Sequence, residues 1–135
     1  MSNIADSDLI QAAESVLNSQ KLGDMYVADV GCALISEDDQ IFTGTCIGGY
    51  LGICAEQSAI SNMLSKTGPK IKKLVAVWKD ENTELYALPP CGRCREFLRL
   101  MSQDNLEAEI ILGKDHTVKL KDLLPIPMWH AEKLS

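Results

Sequence analysis

The stretch Pro89-Pro90-Cys91-Gly92-Arg93-Cys94-Arg95-Glu96 places two thiols three residues apart at the start of a predicted helix. At that spacing both lie on one helical face, close enough to share an ion. Pro90 suits the first turn, where a missing N–H costs nothing, and Phe97, Leu98, Leu100 and Met101 supply an apolar stripe behind it. The partial positive charge of a helix N-terminus favours thiolate over thiol. The motif is therefore half of a metal site that needs partners from elsewhere. Taken alone, it is equally a redox Cys-x-x-Cys pair or two packed cysteines.

Working outward, the chain has 135 residues, 46% of them hydrophobic, which is enough for one core and too little for two. The expectation is a single domain over 1–135. No apolar run is long enough to cross a bilayer and no charged-then-apolar leader opens the chain, so a soluble, cytoplasmic protein is expected. Five cysteines, an odd number, argue for reduced thiols or metal ligands over a disulfide framework. The net charge of −6 disfavours a phosphate-binding surface, and neither nucleic acid nor membrane is an expected partner. Lys70, Lys72 and Lys73 are read as a solvated turn.

Hydrophobic periodicity predicts a helix from Asp6 to Gln20 with Leu9, Ile10, Ala13, Val16 and Leu17 on one face, capped by Asp6 or Ser7 and ended by Gly23. Tyr26–Ser36 reads as a strand, Glu37–Gln40 as a polar turn, and Ile41-Phe42-Thr43 as the start of the return strand of a hairpin. The glycine-rich segment from Thr43 to Gly52 lacks the Gly-Lys-Ser/Thr of a phosphate loop. It reads as a plain loop or as a place where backbone approaches a ligand or neighbouring subunit. Cys54-Ala55-Glu56 opens a second helix with Ala59, Ile60, Met63 and Leu64 on its face. Lys73–Trp78 is a buried strand, Leu85–Leu88 leads into the cysteine helix, and Glu109–Leu112 and Thr117–Leu120 are further strands. This order predicts a three-layer α/β/α sandwich with a mixed, about five-stranded sheet.

In a strand–helix–strand–helix arrangement, helix N-termini on one side of a sheet converge, so Cys54 meets Cys91 and Cys94. Three protein ligands with a fourth position open describe a catalytic zinc site better than a structural one. Glu56, two residues past Cys54, is a harder ligand than three thiolates would select but is well placed to handle a proton. Zinc with three thiolates carries one net negative charge. Two helix N-termini oppose it, and Arg93 and Arg95 offer guanidinium donors to the sulfurs, with Arg95 preferred. The alternative for both arginines is a solvated surface charge. A non-catalytic zinc module would need a fourth ligand such as Cys32, Cys46, His116 or His130, and a thiol redox protein would leave Glu56 without a role. Cys32 is otherwise a small core residue.

Cys54-Ala55-Glu56 followed by Pro90-Cys91-Gly92-Arg93-Cys94-Arg95 resembles the signature of the cytidine deaminase superfamily, in its three-cysteine branch. The likeness runs from Tyr26 to about Pro125. Within the superfamily the chain is most similar to blasticidin S deaminases, on Ile41-Phe42-Thr43-Gly44, the cysteine motif, and Leu123-Leu124-Pro125 with Trp129. The resemblance implies Zn2+ held by Cys54, Cys91 and Cys94, and hydrolytic deamination of a 4-aminopyrimidine nucleoside or analogue. Glu56 would carry protons from water to N3 and to the departing amino group. It also implies a homotetramer with loops of neighbouring subunits over the site, Gly48–Gly52 and the tail around Trp129 being the covering segments. Cytidine deaminases proper carry Asn-x-Glu for the ribose hydroxyls and blasticidin S deaminases usually keep the asparagine; here Cys46-Ile47-Gly48 stands near that place and departs from both, and Glu96 stands where a glutamine commonly follows Cys-Arg. Cys46, Tyr50 and Trp129 are the candidate substrate contacts. A small nucleoside-type molecule like blasticidin S, with a cationic sugar replacement, ranks ahead of cytidine and deoxycytidine.

Overall fold

The structure, a computed structural model, describes residues 4–48, 52–127 and 131–135. Its elements in order are α1 (Asp6–Ser15), β1 (Gln20–Leu22), β2 (Met25–Ser36), β3 (Ile41–Ile47), α2 (Ala55–Leu64), β4 (Ile71–Lys79), β5 (Leu85–Leu88), α3 (Gly92–Met101), β6 (Glu109–Gly113) and β7 (His116–Lys119). Short 3-10 turns cover Gln103–Glu107 and Leu120–Leu123.

β2 is apolar on both faces because it is central: Cys32 and Leu34 are buried on one side, Ala33 and Ile35 on the other. It pairs antiparallel with β3 and with β4, while β4 runs parallel to β6, so the sheet is mixed as expected. The strand count differs from expectation, seven among the described residues and not about five. The two unforeseen strands are short. β1 pairs with Met25–Val27 on the side of β2 away from β3, and β5 pairs with Ala76–Lys79 on the side of β4 away from β2. They extend positions that β4 and β6 already occupy, and the sheet stays five strands wide.

α1 stops five residues earlier than its periodicity predicts. Gly23, at φ 59°, turns the chain instead of ending a helix, and Leu22-Gly23-Asp24-Met25 closes a hairpin. The cap is Ala5, and the Asp8 carboxylate accepts the Ala5 N–H at 3.3 Å. At the Glu37–Gln40 turn the expectation holds, with Asp39 in the left-handed region at φ 63°.

Helices cover both faces. Leu9 and Ala13 of α1 pack on Ala33, Ile35, Val75, Val77 and Ile111. Ala59, Ile60 and Met63 of α2 and Leu98 of α3 pack on Cys32, Leu34, Leu74, Ala76 and Ile110. This is the three-layer sandwich. Gly44, read from sequence as loop, lies within β3, where a Cβ would overlap the Ala59 amide and Ser58 of α2. Glycine there lets α2 settle onto the strand.

Asn105, fully buried, ties three segments together. Its Nδ2 donates to the carbonyls of Pro69 (3.0 Å) and Leu98 (2.9 Å), and its Oδ1 accepts the Ile71 N–H (2.9 Å). The start of β4 and the last turns of α3 are thereby fixed to each other.

Candidate active site

α2 and α3 are both capped by a cysteine. Cys54 is the extended residue before Ala55, and Cys91 is the extended residue before Gly92. Pro90 therefore sits just ahead of the cap and outside the first turn. Cys94 follows at the third helical position, on the same side as its cap. The convergence inferred from sequence is present: Cys54 and Cys91 sulfurs are 3.6 Å apart, Cys91 and Cys94 sulfurs 3.5 Å, and all three lie within 4.8 Å of one another.

Three thiolates at about 2.3 Å from one zinc ion in tetrahedral array stand about 3.8 Å apart. Two of the sulfur pairs are already close to that spacing and the third lies within 4.8 Å, so the residues present fit Zn2+. Among the described residues no further histidine, cysteine or carboxylate joins the group. Cys32 is buried within the core, and His116 is on β7. His130 lies outside the described residues.

The thiols differ electrostatically. Burial works against ionisation of Cys91, but the N–H groups of Cys94 and Arg93 and the two neighbouring thiols outweigh it, and its pKa is lowered. Burial pushes Cys54 and, far more, Cys94 upward, the Glu56 charge adding to both. A cation is what would draw the proton from Cys94. Glu56, in the first turn of α2, is 6% exposed, and burial raises its carboxyl above the ordinary value.

Cys54, Cys91 and Glu56 open onto a cavity of about 320 Å3, in the size range of small-molecule sites, with Cys94 buried behind them. Its walls include Val30, Cys46, Ile47, Ile53, Ala76, Leu88 and Pro89 beside Cys54, Glu56 and Cys91. Apart from the metal thiols, Glu56 and Cys46 are the side chains with polar chemistry among these described lining residues. The Cys46 sulfur accepts the Val30 N–H at 3.4 Å. Tyr50 and Trp129, the other candidate substrate contacts, lie outside the described residues.

Arg95 does not reach toward sulfur among the described contacts. Its Nε donates to the Pro90 carbonyl at 2.8 Å and its Nη1 to the Leu123 carbonyl at 3.1 Å, so it ties the cysteine turn to the C-terminal segment. Arg93 has no such bond among those described. Glu96, without a role from sequence, pairs with the buried guanidinium of Arg99 one turn on. Sequence reasoning missed Val30, Ala76 and Leu88 as cavity walls. Their apolar character marks core strands equally well, and only the sheet register separates the two.

Residues 4–110 match the family model described as the cytidine and deoxycytidylate deaminase zinc-binding region. The chain is 28% identical over 104 residues to a blasticidin-S deaminase of Bacillus cereus, covering 72% of this chain and 74% of that protein. Among solved structures, a cytidine deaminase from Mycobacterium leprae superposes with a TM-score of 0.72 at 26% identity, covering 92% of this chain and 100% of the other. One from Burkholderia pseudomallei gives the same TM-score at 21% identity, covering 93% and 100%, and speaks for the fold alone.

Proposed function

Because the chain belongs to the cytidine and deoxycytidylate deaminase zinc-binding family, we propose that it is a zinc-dependent aminohydrolase. Its substrate is a 4-aminopyrimidine nucleoside or analogue, with a blasticidin-S-like compound favoured over cytidine and deoxycytidine. One buried carboxyl beside a three-sulfur cradle, with Glu56, Cys54 and Cys91 lining one cavity, supports this reading most directly.

Cys54, Cys91 and Cys94 hold the ion, whose contribution is Lewis acidity toward water. Glu56 supplies proton movement. Its carboxylate takes a proton from the attacking water as the O–C4 bond forms and gives it to N3, then takes the remaining proton from the new C4 hydroxyl and gives it to the amino nitrogen, leaving a C4 carbonyl. The C4–N bond breaks and ammonia leaves. A carboxyl that alternately accepts and donates works best with a pKa nearer neutrality, and burial moves Glu56 in that direction. The Val30, Ile47, Ile53, Ala76 and Leu88 walls exclude water from a flat ring.

Preference for a blasticidin-S-like compound follows from what the walls lack. A ribose diol left without a polar partner costs about 1–3 kcal/mol. Cys46 offers a sulfur already committed to backbone, and the protein's net charge of −6 is compatible with a cationic group in place of the sugar. The 28% identity to a blasticidin-S deaminase points the same way.

Association into a cytoplasmic homotetramer belongs to the same reading. Ile53, Phe97 and Leu100, on or beside the cysteine-capped helices, are 41%, 38% and 58% exposed and suit burial by a second subunit. Light scattering gives the mass directly, and a monomer at micromolar concentration would remove this part.

Loss of ultraviolet absorbance on deamination, followed side by side for cytosine, cytidine, deoxycytidine and blasticidin S, tests the substrate. The highest kcat/KM is expected for blasticidin S. Cytidine ranking first would make this a nucleoside-salvage enzyme with an altered sugar site, and no turnover by zinc-loaded protein would sink the reading.

A further inference from the structure

The sheet-side wall of the cavity carries an irregularity that the deaminase reading does not use. Along β2 and β3, Val27 stands opposite Ile47 and Gly31 opposite Thr45, so Ala28, Asp29 and Val30 face Cys46 alone. Two extra residues are thus accommodated in β2 as a bulge. Ala28 adopts φ 60°, which a residue with a Cβ seldom takes unless its surroundings impose it. It is also buried.

Three bonds impose it. The Asn18 N–H donates to the Ala28 carbonyl at 3.1 Å, the Ser19 hydroxyl donates to the Asp29 carboxylate, and the Val30 N–H donates to the Cys46 sulfur at 3.4 Å. The first two come from the segment after α1. The third comes from β3, and it is made by a side chain at the point where the register departs from regular pairing. Bulges beside binding sites re-aim the residues that follow them. Here the last residue of the bulge is Val30, which lines the same cavity as Glu56, Ala76 and Leu88.

We propose that Cys46 is a positioning residue for substrate specificity: its sulfur closes the β2 bulge and holds Val30 as a wall of the cavity. A thiol suits the task, being small, tolerant of burial and able to accept one weak hydrogen bond. Asparagine, aspartate or serine at this point would offer a stronger acceptor or donor to a sugar hydroxyl. Cys46 directs its acceptor capacity at the backbone, and the substituent of the substrate meets an apolar surface. The kinetic consequence rests on the deaminase reading; the structural one does not.

The test uses full-length, zinc-loaded protein with Cys46→Val, which keeps bulk and removes the acceptor, and Cys46→Ser, which keeps an acceptor. Amide exchange of Val30, resolved by NMR, is the primary readout. Val30 is expected to be protected in the wild type, at least tenfold less so in Cys46→Val, and within threefold of wild type in Cys46→Ser. On the preferred compound of the panel above, Cys46→Val should raise KM about fivefold with kcat within twofold, and Cys46→Ser should restore KM. An unprotected Val30 amide in the wild type overturns the proposal even if Cys46→Val fails to fold. Equal protection in all three proteins does so too, and lost protection with unchanged KM removes the link to specificity. If no compound is turned over, the deaminase reading falls, while the exchange pattern still decides what Cys46 does.

Discussion

At the sulfur end of the cavity, every reactive atom is delivered by a helix start: Cys54 caps α2, Glu56 lies in its first turn, Cys91 caps α3, and Cys94 follows one turn later. Along the sheet-side wall, Val30 is delivered by a bulge, with Cys46, Ala76 and Leu88 on neighbouring strands. Cap geometry follows from a few adjacent residues and leaves little freedom, because an ion demands its ligands at set distances. Wall geometry depends on register across four strands and admits graded change. Chemistry should therefore fail abruptly at the first end, whereas selectivity should drift at the second.

The largest effects test the sulfur end. Cys94→Ala is expected to drop zinc from about one ion per chain to well below that, with deaminase activity lost, as read by metal analysis and the absorbance assay. An active, metal-free Cys94→Ala protein would break the comparison outright. Glu56→Gln should keep its zinc and its melting temperature while losing about 10²–10⁴-fold in kcat. Near-normal turnover by that variant would take the carboxyl out of the chemistry.

A smaller effect is expected where α2 meets the sheet. Gly44→Ala pushes a methyl into the Ala59 amide, and a cost of about 1–3 kcal/mol should lower Tm by several degrees. At Gly68 an added Cβ meets nothing within 4 Å, so Gly68→Ala should stay within about 0.5 kcal/mol. Equal melting temperatures for the two variants would mean that α2 is not seated as described.

Arg95 and Arg93 offer the finest distinction. Removing the two carbonyl bonds of Arg95 should weaken zinc about 10–100-fold in a chelator competition, through the cysteine turn it fixes. Arg93→Ala should change zinc affinity by less than about threefold. A reversed order would show that charge near the sulfurs matters more than the position of the turn.

Much of this architecture was legible because caps are local. Two cysteine motifs at predicted helix starts are enough to bring Cys54, Cys91 and Cys94 together from sequence, and the order of helices and strands gives the layers. β1 and β5 escaped because a three- or four-residue strand has no periodicity of its own. The Gly23-Asp24 turn was the available signal for β1. Gly44 was read as loop because a strand glycine made necessary by a crossing helix looks like any other glycine. Arg95 was assigned to sulfur on charge, yet a guanidinium can equally serve backbone carbonyls in distant segments, and sequence separation hides them. The role of Cys46 was out of reach for a similar reason. A bulge is a mismatch between two strands, and neither strand records it alone.

Asn105 has a bearing on tolerance that its distance from the sulfurs conceals. α3 is a ten-residue rod, about 15 Å long, clamped near its far end through the Leu98 carbonyl and, by the same side chain, to the first residue of β4. Rotation about such a clamp is magnified toward the cysteine end, where the Arg95 bonds to the Pro90 and Leu123 carbonyls are a further brace. A swing of about 5° there would carry Cys91, about 10 Å along the helix from Leu98, roughly 1 Å, whereas zinc ligands must hold their distances to about 0.2 Å. Acting as a hinge pin, one amide bears on the angular error that Cys91 and Cys94 inherit relative to Cys54 on α2.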